Sequence, residues 1–171
     1  MDKTIILRFR DLITEDDGTI SDHQTLISNF GEVWWGWWMK QNETPPKKLF
    51  KEIGDHISEN KSMSGFLYNT GLNKLYETQI VRLLVGPSMY KIPTPDPEKS
   101  PSYYHRGSYP AWFLLNDIKL ADFDKLKLTL VDLPTRSNDQ ISEYSSQIGK
   151  RINSLYDLQR MNVTLWVVRS E

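Results

Sequence analysis

The stretch GFLYNTGLNKLYETQIVRLL, residues 65–84, predicts two β-strands joined by a turn. Apolar and aromatic side chains dominate 65–69, and Thr70 with Gly71 supplies residues that favour a turn. The apolar-rich run that follows is long enough for an extended strand over 75–85. We therefore take this pair of strands as the starting point of a β-sheet.

The rest of the chain adds strands and helices that do not alternate regularly. Further strands are predicted at 4–10, 111–118, 126–131 and 163–169, and helices after Ser21, over 44–59 and after Ser137. The last helix is predicted from an apolar stripe at helical spacing: Ile141, Tyr144, Ile148, Ile152, Leu155 and Leu158. Because strands outnumber helices, we predict the α+β class: a curved, mostly antiparallel sheet or small β-barrel flanked by about three helices. We expect residues 1–171 to form a single domain, in which the segment after about residue 132 is a candidate C-terminal elaboration.

Four of the six tryptophans lie within five residues: Trp34, Trp35, Trp37 and Trp38, separated only by Gly36. In a strand, Trp35 and Trp37 face opposite to Trp34 and Trp38. One pair is then expected to pack inward while the other lines a cleft, because flat aromatic faces suit planar ligands such as nucleobases. The alternative is that the cluster is core plus a covered edge, since aromatic side chains are usually buried.

Residues 86–110 form the longest irregular segment, and they contain six of the nine prolines. Proline at this density excludes a central strand or a helix interior. The segment also carries aromatic and basic side chains: Tyr90, Tyr103, Tyr104, His105, Arg106 and Tyr109. This composition favours a lid or binding loop over a disordered linker.

The composition excludes several classes of protein. A net charge of −1 leaves no global basic field, so contact with nucleic acid must be local or directed at a base. The absence of cysteine excludes disulfides, thiolate nucleophiles and cysteine-based zinc sites, and suits a reducing cytoplasm. No apolar run is long enough to span a membrane, and the N-terminus lacks the pattern of a signal peptide. Because phosphate-loop, serine-hydrolase and zinc-protease motifs are also absent, we expect a cytoplasmic protein without cofactor or metal.

A few polar residues are candidates for contact with a ligand. Arg8 and Arg10 share a strand face, which is either solvated or lines a cleft where an arginine meets phosphate or carboxylate. Lys40 could likewise contact a phosphate or carboxylate, although a solvated lysine is the simpler interpretation. Asn69 could read a base edge, or it could supply only the chemistry of the turn that follows. His23 lies on a predicted helix and is expected at the surface or half-buried.

The order of these features resembles the PUA-like superfamily, and within it the EVE, YTH and ASCH domains. Residues 65–84 resemble the paired barrel strands of these domains, and YYHRGSYPAWFLLNDI, residues 103–118, resembles their loop and following strand. The resemblance covers roughly residues 3–130 and implies a small mixed β-barrel with helices near its mouth. It also implies an aromatic pocket that accepts a nucleobase, often a modified one.

These observations predict a sensor or reader that binds a planar, base-like ligand without turning it over. The ligand would be a modified nucleobase, a nucleotide or a nucleic acid. The predicted ligand-binding residues are Arg8, Trp35, Trp37, Trp38, Lys40, Tyr68, Asn69, Tyr104, Arg106 and Trp112. We expect the aromatic members and Arg106 to converge on one concavity, with Arg8 or Lys40 at its rim.

Two alternative functions stay open. One is a protein–protein interaction module that docks a peptide or partner domain on the aromatic surface. The other is a hydrolase for a nucleotide or small amide, with Lys40, Glu43 and Tyr68 as candidate groups. Gly36, Lys40 and Glu43 match only part of the ASCH pattern of glycine, lysine, glutamate and arginine. A ring-lined pocket favours a small ligand, a broad apolar patch favours a protein partner, and a lysine–carboxylate pair inside a pocket favours catalysis.

Overall fold

The computed structural model describes residues 1–137 and 144–171. Within these residues the strands are β1 (Thr4–Phe9), β2 (Val33–Trp37), β3 (Met63–Asn69), β4 (Lys74–Val85), β5 (Ile92–Pro93), β6 (Ser108–Tyr109), β7 (Ala111–Leu120), β8 (Leu128–Asp132) and β9 (Leu165–Ser170). The α-helices of the same residues are α1 (Gly18–Phe30), α2 (Lys47–Asn60) and α3 (Leu155–Arg160).

Seven of the strands form one mixed sheet in the order β2-β7-β4-β3-β1-β9-β8, and β5 pairs with β6 in a separate two-stranded ribbon. In the larger sheet β1 and β3 are parallel, and every other neighbouring pair is antiparallel. The predicted α+β class with a mostly antiparallel sheet is therefore confirmed.

The strand pair predicted from residues 65–84 occupies the middle of this sheet. β3 and β4 are antiparallel, with Phe66 opposite Glu77 and Tyr68 opposite Leu75. The register between β4 and β7 shifts on either side of Ile80, which marks a bulge. A bulge bends and twists a strand locally, so it contributes to the curvature of the sheet.

The two faces of the sheet bury separate apolar clusters. Along β1, Ile5 and Leu7 join a cluster beneath the helices, whereas Ile6 joins a cluster on the opposite face, as period-two alternation requires. Helix α2 confirms the helix predicted over 44–59, and it adds one apolar stripe to the first cluster, formed by Leu49, Phe50, Ile53 and Ile57. The second cluster lies mainly under β8, β9 and the segment before β9, and includes Tyr68 and Trp166.

A buried glutamate ties the segment after β2 to the segments that follow β8 and precede β9. Glu43 is 6% exposed, and its carboxylate accepts hydrogen bonds from the hydroxyls of Thr135 and Thr164 and from the backbone N–H of Thr164. Next to it, the backbone N–H of Thr44 donates to the Thr135 carbonyl at 2.8 Å. Because β2 and β8 are the two edge strands, this clasp draws the edges of the curved sheet toward each other.

The prediction of one long helix after Ser137 is wrong. Its residue Ile141 lies outside the described residues, and Ser145–Gln147 is a single 3₁₀ turn. Gly149 then adopts φ +88°, and the backbone of 150–152 hydrogen-bonds to β8. The apolar stripe still marks burial, since Tyr144, Ile152 and Leu158 all belong to the second cluster. They reach it from three different local structures and not from one helix face.

Candidate functional site

An aromatic concavity lies where the end of β1, the loop before α1, strand β2 and the loop before β7 meet. It is lined by Arg8, Phe9, Arg10, Leu12, Ile13, Thr14, Thr19, Trp35, Gly36, Trp38, Tyr103, Tyr104 and Tyr109. Its volume is about 220 Å³. This is below the roughly 300–1,000 Å³ of pockets for drug-sized ligands, so the concavity suits a single ring system.

Strand β2 divides its tryptophans between the two sides of the sheet. Trp35 and Trp37 belong to the cluster beneath the helices, whereas Trp34 packs with Tyr104 and Trp112 on the other side. This is the alternation predicted from the sequence. Trp38 follows the last residue of the strand, and 55% of its surface is exposed. Of the two tryptophans that line the concavity, Trp38 therefore presents the more exposed ring, and Trp35 is 2% exposed.

Gly36 permits a close approach between β2 and the loop before β7. An ideal Cβ built at this position would lie 2.8 Å from Cδ2 of Tyr109 and 3.1 Å from Cζ3 of Trp112. A real Cβ atom essentially never lies as close as 2.8 Å to another heavy atom, so any side chain at Gly36 would displace a packed ring. The glycine between the tryptophan pairs thus creates the space that Tyr109 fills.

Three tyrosines from this loop build one wall of the concavity. Tyr104 makes edge-to-face contacts with Tyr103, Tyr109 and Trp112, at centroid separations of 4.9, 5.3 and 5.2 Å. Such pairs each contribute about 0.5–1.5 kcal/mol beyond the burial of their area. Burial raises the pKa of Tyr104 well above its ordinary value, so this wall is uncharged. The aromatic loop predicted from composition is therefore a packed wall of the concavity.

The opposite rim is a short loop after β1 that exposes two apolar side chains. Leu12 is 83% exposed and Ile13 is 72% exposed. Asp11 fixes this loop, because its carboxylate accepts the backbone N–H groups of Asp17 and Thr19 and the side-chain amide of Asn69. Burial alone would raise the pKa of Asp11, but these hydrogen bonds together lower it below its ordinary value.

His23 lies immediately behind the concavity. It is fully buried, its ring centroid is 4.6 Å from that of Trp35, and its Nδ1 lies 2.7 Å from the Thr19 carbonyl oxygen. Burial lowers the pKa of His23 to about 4. The ring is therefore neutral near pH 7, with Nδ1–H donating to Thr19. The expectation of a surface or half-buried histidine is wrong because Trp35 and Tyr104 cover this face of α1.

Three cations gather at the polar end of the concavity. Arg8 and Arg10 line it, and Lys40 is linked to Arg8 through Asn162. The Asn162 Oδ1 atom accepts from Arg8 Nη1 at 3.0 Å and also from Lys40 Nζ. Burial and then the charge of Arg10 lower the pKa of Arg8, and Glu43 opposes this effect. Burial and then the charge of Arg8 likewise lower the pKa of Lys40.

The predicted site residues divide into two groups. Arg8, Trp35, Trp38 and Tyr104 line the concavity, and Lys40 lies beside it through Asn162. The residues that do not line it are Trp37, Tyr68, Asn69, Arg106 and Trp112. Arg106 is exposed on the loop, and Trp112 is fully buried behind Tyr104 and Tyr109. The prediction that all seven aromatic and arginine positions share one concavity is thus wrong in part.

Packing explains why the other three lie elsewhere. Trp37 is 1% exposed and makes an edge-to-face contact with Phe50 of α2, at 5.2 Å between centroids. Tyr68 packs against Trp166 on the opposite face of the sheet. Asn69 stabilises the turn after β3, since its Oδ1 accepts hydrogen bonds from the backbone N–H groups of Gly71 and Leu72. Its role is therefore the turn chemistry given above as the alternative.

Lys40, Glu43 and Tyr68, the three residues considered for hydrolysis, do not come together in a catalytic arrangement. Glu43 accepts the backbone N–H of Lys40 at 3.1 Å, and its oxygens are otherwise occupied by threonines. The Lys40 ammonium instead donates to the backbone carbonyl of Asn162 at 3.1 Å. The Tyr68 hydroxyl donates to Asn73 Oδ1 at 2.5 Å. Glu43 is accordingly a structural clasp, and the carboxylate and the ammonium do not meet in a pocket.

Several residues that line or border the concavity were not predicted from the sequence. Tyr109 was recognised only as part of an aromatic loop, and Gly36 is the residue in the sequence that permits its close approach to β2. Leu12 and Ile13 are apolar residues in a polar turn, which is a detectable signal of an exposed apolar rim. Asn162 has no sequence signal, because its link to Arg8 spans 154 positions.

Membrane-spanning helices and metal-binding clusters are two other features considered for the described residues. None of the helices in 1–137 and 144–171 is long and apolar enough to cross a membrane. Over the same residues, no group of three or more His, Cys, Asp or Glu side chains is placed to hold a metal ion.

Comparison with known proteins gives a match at the level of the family. A family model described as Pua-like matches residues 5–171, which is nearly the whole chain and includes the aromatic concavity and its cationic end. No curated protein and no solved structure matches the chain.

Proposed function

The chain belongs to the Pua-like family, and on that premise we propose that it is a reader domain that stacks a planar, base-like ligand in the aromatic concavity. The ligand is bound and released unchanged. We assign contact with the ligand to Trp35, Trp38, Tyr104 and Tyr109, with Arg8 at the rim.

The observation that carries this proposal is the position of Trp38. A tryptophan left 55% exposed forfeits much of the burial that usually stabilises this residue. Its ring borders a concavity with a wall of tyrosines that are already ordered by contacts among themselves and with Trp112. Stacking a base on such rings contributes about 1–3 kcal/mol per base in systems measured by alanine substitution. Preformed walls also reduce the entropy lost on binding.

The charge distribution supports local recognition over tracking of a backbone. The net charge is −1, yet Arg8 and Arg10 both line the concavity. A protein that follows a strand over many phosphates needs a broad basic surface. We therefore propose that one base, free or in a strand, is the unit recognised.

The test is a fluorescence-anisotropy titration with labelled single-stranded RNA and DNA decamers of random sequence. Trp38→Ala is expected to weaken binding by roughly tenfold to a hundredfold while leaving the melting temperature within a few degrees. Tyr90→Ala is the matched control, because Tyr90 is 74% exposed and does not line the concavity. Equal binding by the wild type and Trp38→Ala would refute the proposal.

A second candidate is favoured by the exposed rim. Leu12, Ile13 and Trp38 together present an apolar edge that also suits a protein partner. The same titration, extended to the four free ribonucleoside 5′-monophosphates, separates the two candidates, since a module that binds only proteins leaves all of these probes unbound by the wild type.

A further inference from the structure

We propose that Arg8, Lys40 and Asn162 form a phosphate-binding subsite at the rim of the aromatic concavity, so that the ligand is a nucleotide unit and not a bare base. This inference rests on the proposed function, because it places the phosphate next to the stacked base. It adds the chemical class of the ligand.

The geometry of Asn162 holds two cations side by side. Its Oδ1 atom accepts from Arg8 Nη1 at 3.0 Å and from Lys40 Nζ, and its backbone carbonyl accepts from Lys40 Nζ at 3.1 Å. The backbone N–H of Asn162 donates to the Tyr144 hydroxyl at 3.2 Å, which fixes the residue itself. Two positive groups are therefore oriented by one uncharged side chain.

The protein compensates the charge of these groups only in part, through the buried carboxylate of Glu43. Among residues 1–137 and 144–171, neither Arg8, Arg10 nor Lys40 forms an ion pair, although nine ion pairs involve other lysines and arginines. Glu43 is the nearby carboxylate and its charge acts on both Arg8 and Lys40, but its oxygens accept from threonines and backbone N–H groups, and among the described residues it forms no ion pair with either cation. Neighbouring like charges repel, so holding them together costs free energy that a bound anion would offset.

Phosphate is the anion that fits this arrangement beside a base pocket. The planar guanidinium of Arg8 can contact two phosphate oxygens, and the ammonium of Lys40 adds a compact charge to the same group. Arg8 also lines the aromatic concavity, so the anion and the stacked ring would share one boundary residue. The phosphate is either the monoester of a free nucleotide or the diester of a nucleic-acid strand.

The experiment compares ligands that differ only in phosphate. The wild type is titrated calorimetrically with the four ribonucleosides, their 5′-monophosphates and a single-stranded RNA decamer. We expect the best monophosphate to bind roughly tenfold to a hundredfold more tightly than its nucleoside, the range for a charge-assisted contact. Arg8→Gln and Lys40→Gln should each cut this ratio several-fold, and Lys40→Gln should leave the nucleoside dissociation constant within about twofold. Lys91→Gln, which removes an exposed charge outside the concavity, should leave the ratio unchanged.

The arms of the experiment separate the outcomes. Equal affinity for nucleoside and monophosphate overturns the phosphate subsite and leaves the base pocket standing. A wild type that binds none of these probes overturns both proposals. A decamer that binds more tightly than any monophosphate, with a steeper salt dependence, assigns the phosphate to a strand; the reverse order assigns it to a free nucleotide. Because Arg8 is half-buried and its variant could unfold, Lys40→Gln carries the test independently, with a thermal melt as the check on folding.

Discussion

His23 is a fully buried histidine that contacts Trp35 and Tyr104 behind the concavity. Its Nδ1–H is satisfied by the Thr19 carbonyl oxygen. A second proton would place a charge among aromatic rings, which is why burial lowers its pKa to about 4. His23 supports Trp35 and Tyr104 at the concavity, and its protonation therefore makes the stability of this region depend on pH.

Acidification is expected to destabilise the protein through His23. The unfolded state takes up a proton near pH 6.5 and the folded state only near pH 4, so the unfolded state binds more protons between these values. The contribution of His23 is therefore complete above about pH 6.5 and is lost as the pH falls to 4. Its full size is about 3 kcal/mol. Urea unfolding at a series of pH values measures it.

The control for this prediction is His23→Asn, whose amide can still donate toward Thr19 but does not titrate. The variant is less stable at pH 7 because it leaves space beside Trp35. Its free energy of unfolding should nevertheless fall less steeply between pH 6.5 and 4. Parallel losses in the two proteins would show that His23 is not the group responsible.

At the scale of the element, strand β2 determines how four neighbouring tryptophans divide their roles. Period two sends Trp34 to one face and Trp35 with Trp37 to the other. The strand ends at Trp37, so Trp38 escapes the alternation and remains exposed. Gly36 in the middle lets the loop before β7 pack directly on the strand.

Gly36→Ala is expected to damage both stability and binding. The added methyl group would contact the rings of Tyr109 and Trp112, and these packed rings must move to accommodate it. Overpacking of this kind costs about 1–3 kcal/mol. Displacement of Tyr109 should also weaken binding of the labelled decamers. Urea unfolding and the anisotropy titration measure the two effects.

Gly54→Ala is the matched substitution for comparison. A Cβ at Gly54 meets nothing within 4 Å, and the residue lies inside α2. Alanine in a helix interior is favoured over glycine by about 0.5–1 kcal/mol, so this variant should gain stability and bind normally. If Gly36→Ala behaves like Gly54→Ala, the close approach at β2 is unimportant.

At the scale of the whole molecule, the parts of the fold that depend on local pattern were predictable. The strand pair at residues 65–84, the stripe of α2 and the alternation in β2 all follow from the spacing of side chains along the chain. The backbone path of the last apolar stripe was not predictable from local pattern. Its spacing matches a helix, but Gly149 and the pairing with β8 impose another path. Periodicity reports which residues are buried more reliably than it reports the backbone that buries them.

The candidate site was predictable only where local pattern and tertiary position agree. Trp35 and Trp37 share a face, yet Trp35 borders the concavity and Trp37 meets Phe50, because α2 covers only one of them. The packing of α2 is a property of the assembled fold and has no local signal. Asn162 likewise joins Arg8 and Lys40 only when β9 inserts beside β1.

The most direct test of base stacking in the concavity uses the six tryptophans as internal reporters. Indole N–H signals of ¹⁵N-tryptophan-labelled protein are followed by NMR during titration with the four ribonucleoside 5′-monophosphates, and Trp38→Phe identifies the signal of Trp38. We predict that the Trp38 signal shifts most and that the Trp35 signal also moves. The signals of Trp37 and Trp166, which are buried away from the concavity, should stay in place. A spectrum that no monophosphate changes, or shifts centred on Trp37 or Trp166, would contradict base recognition at this site.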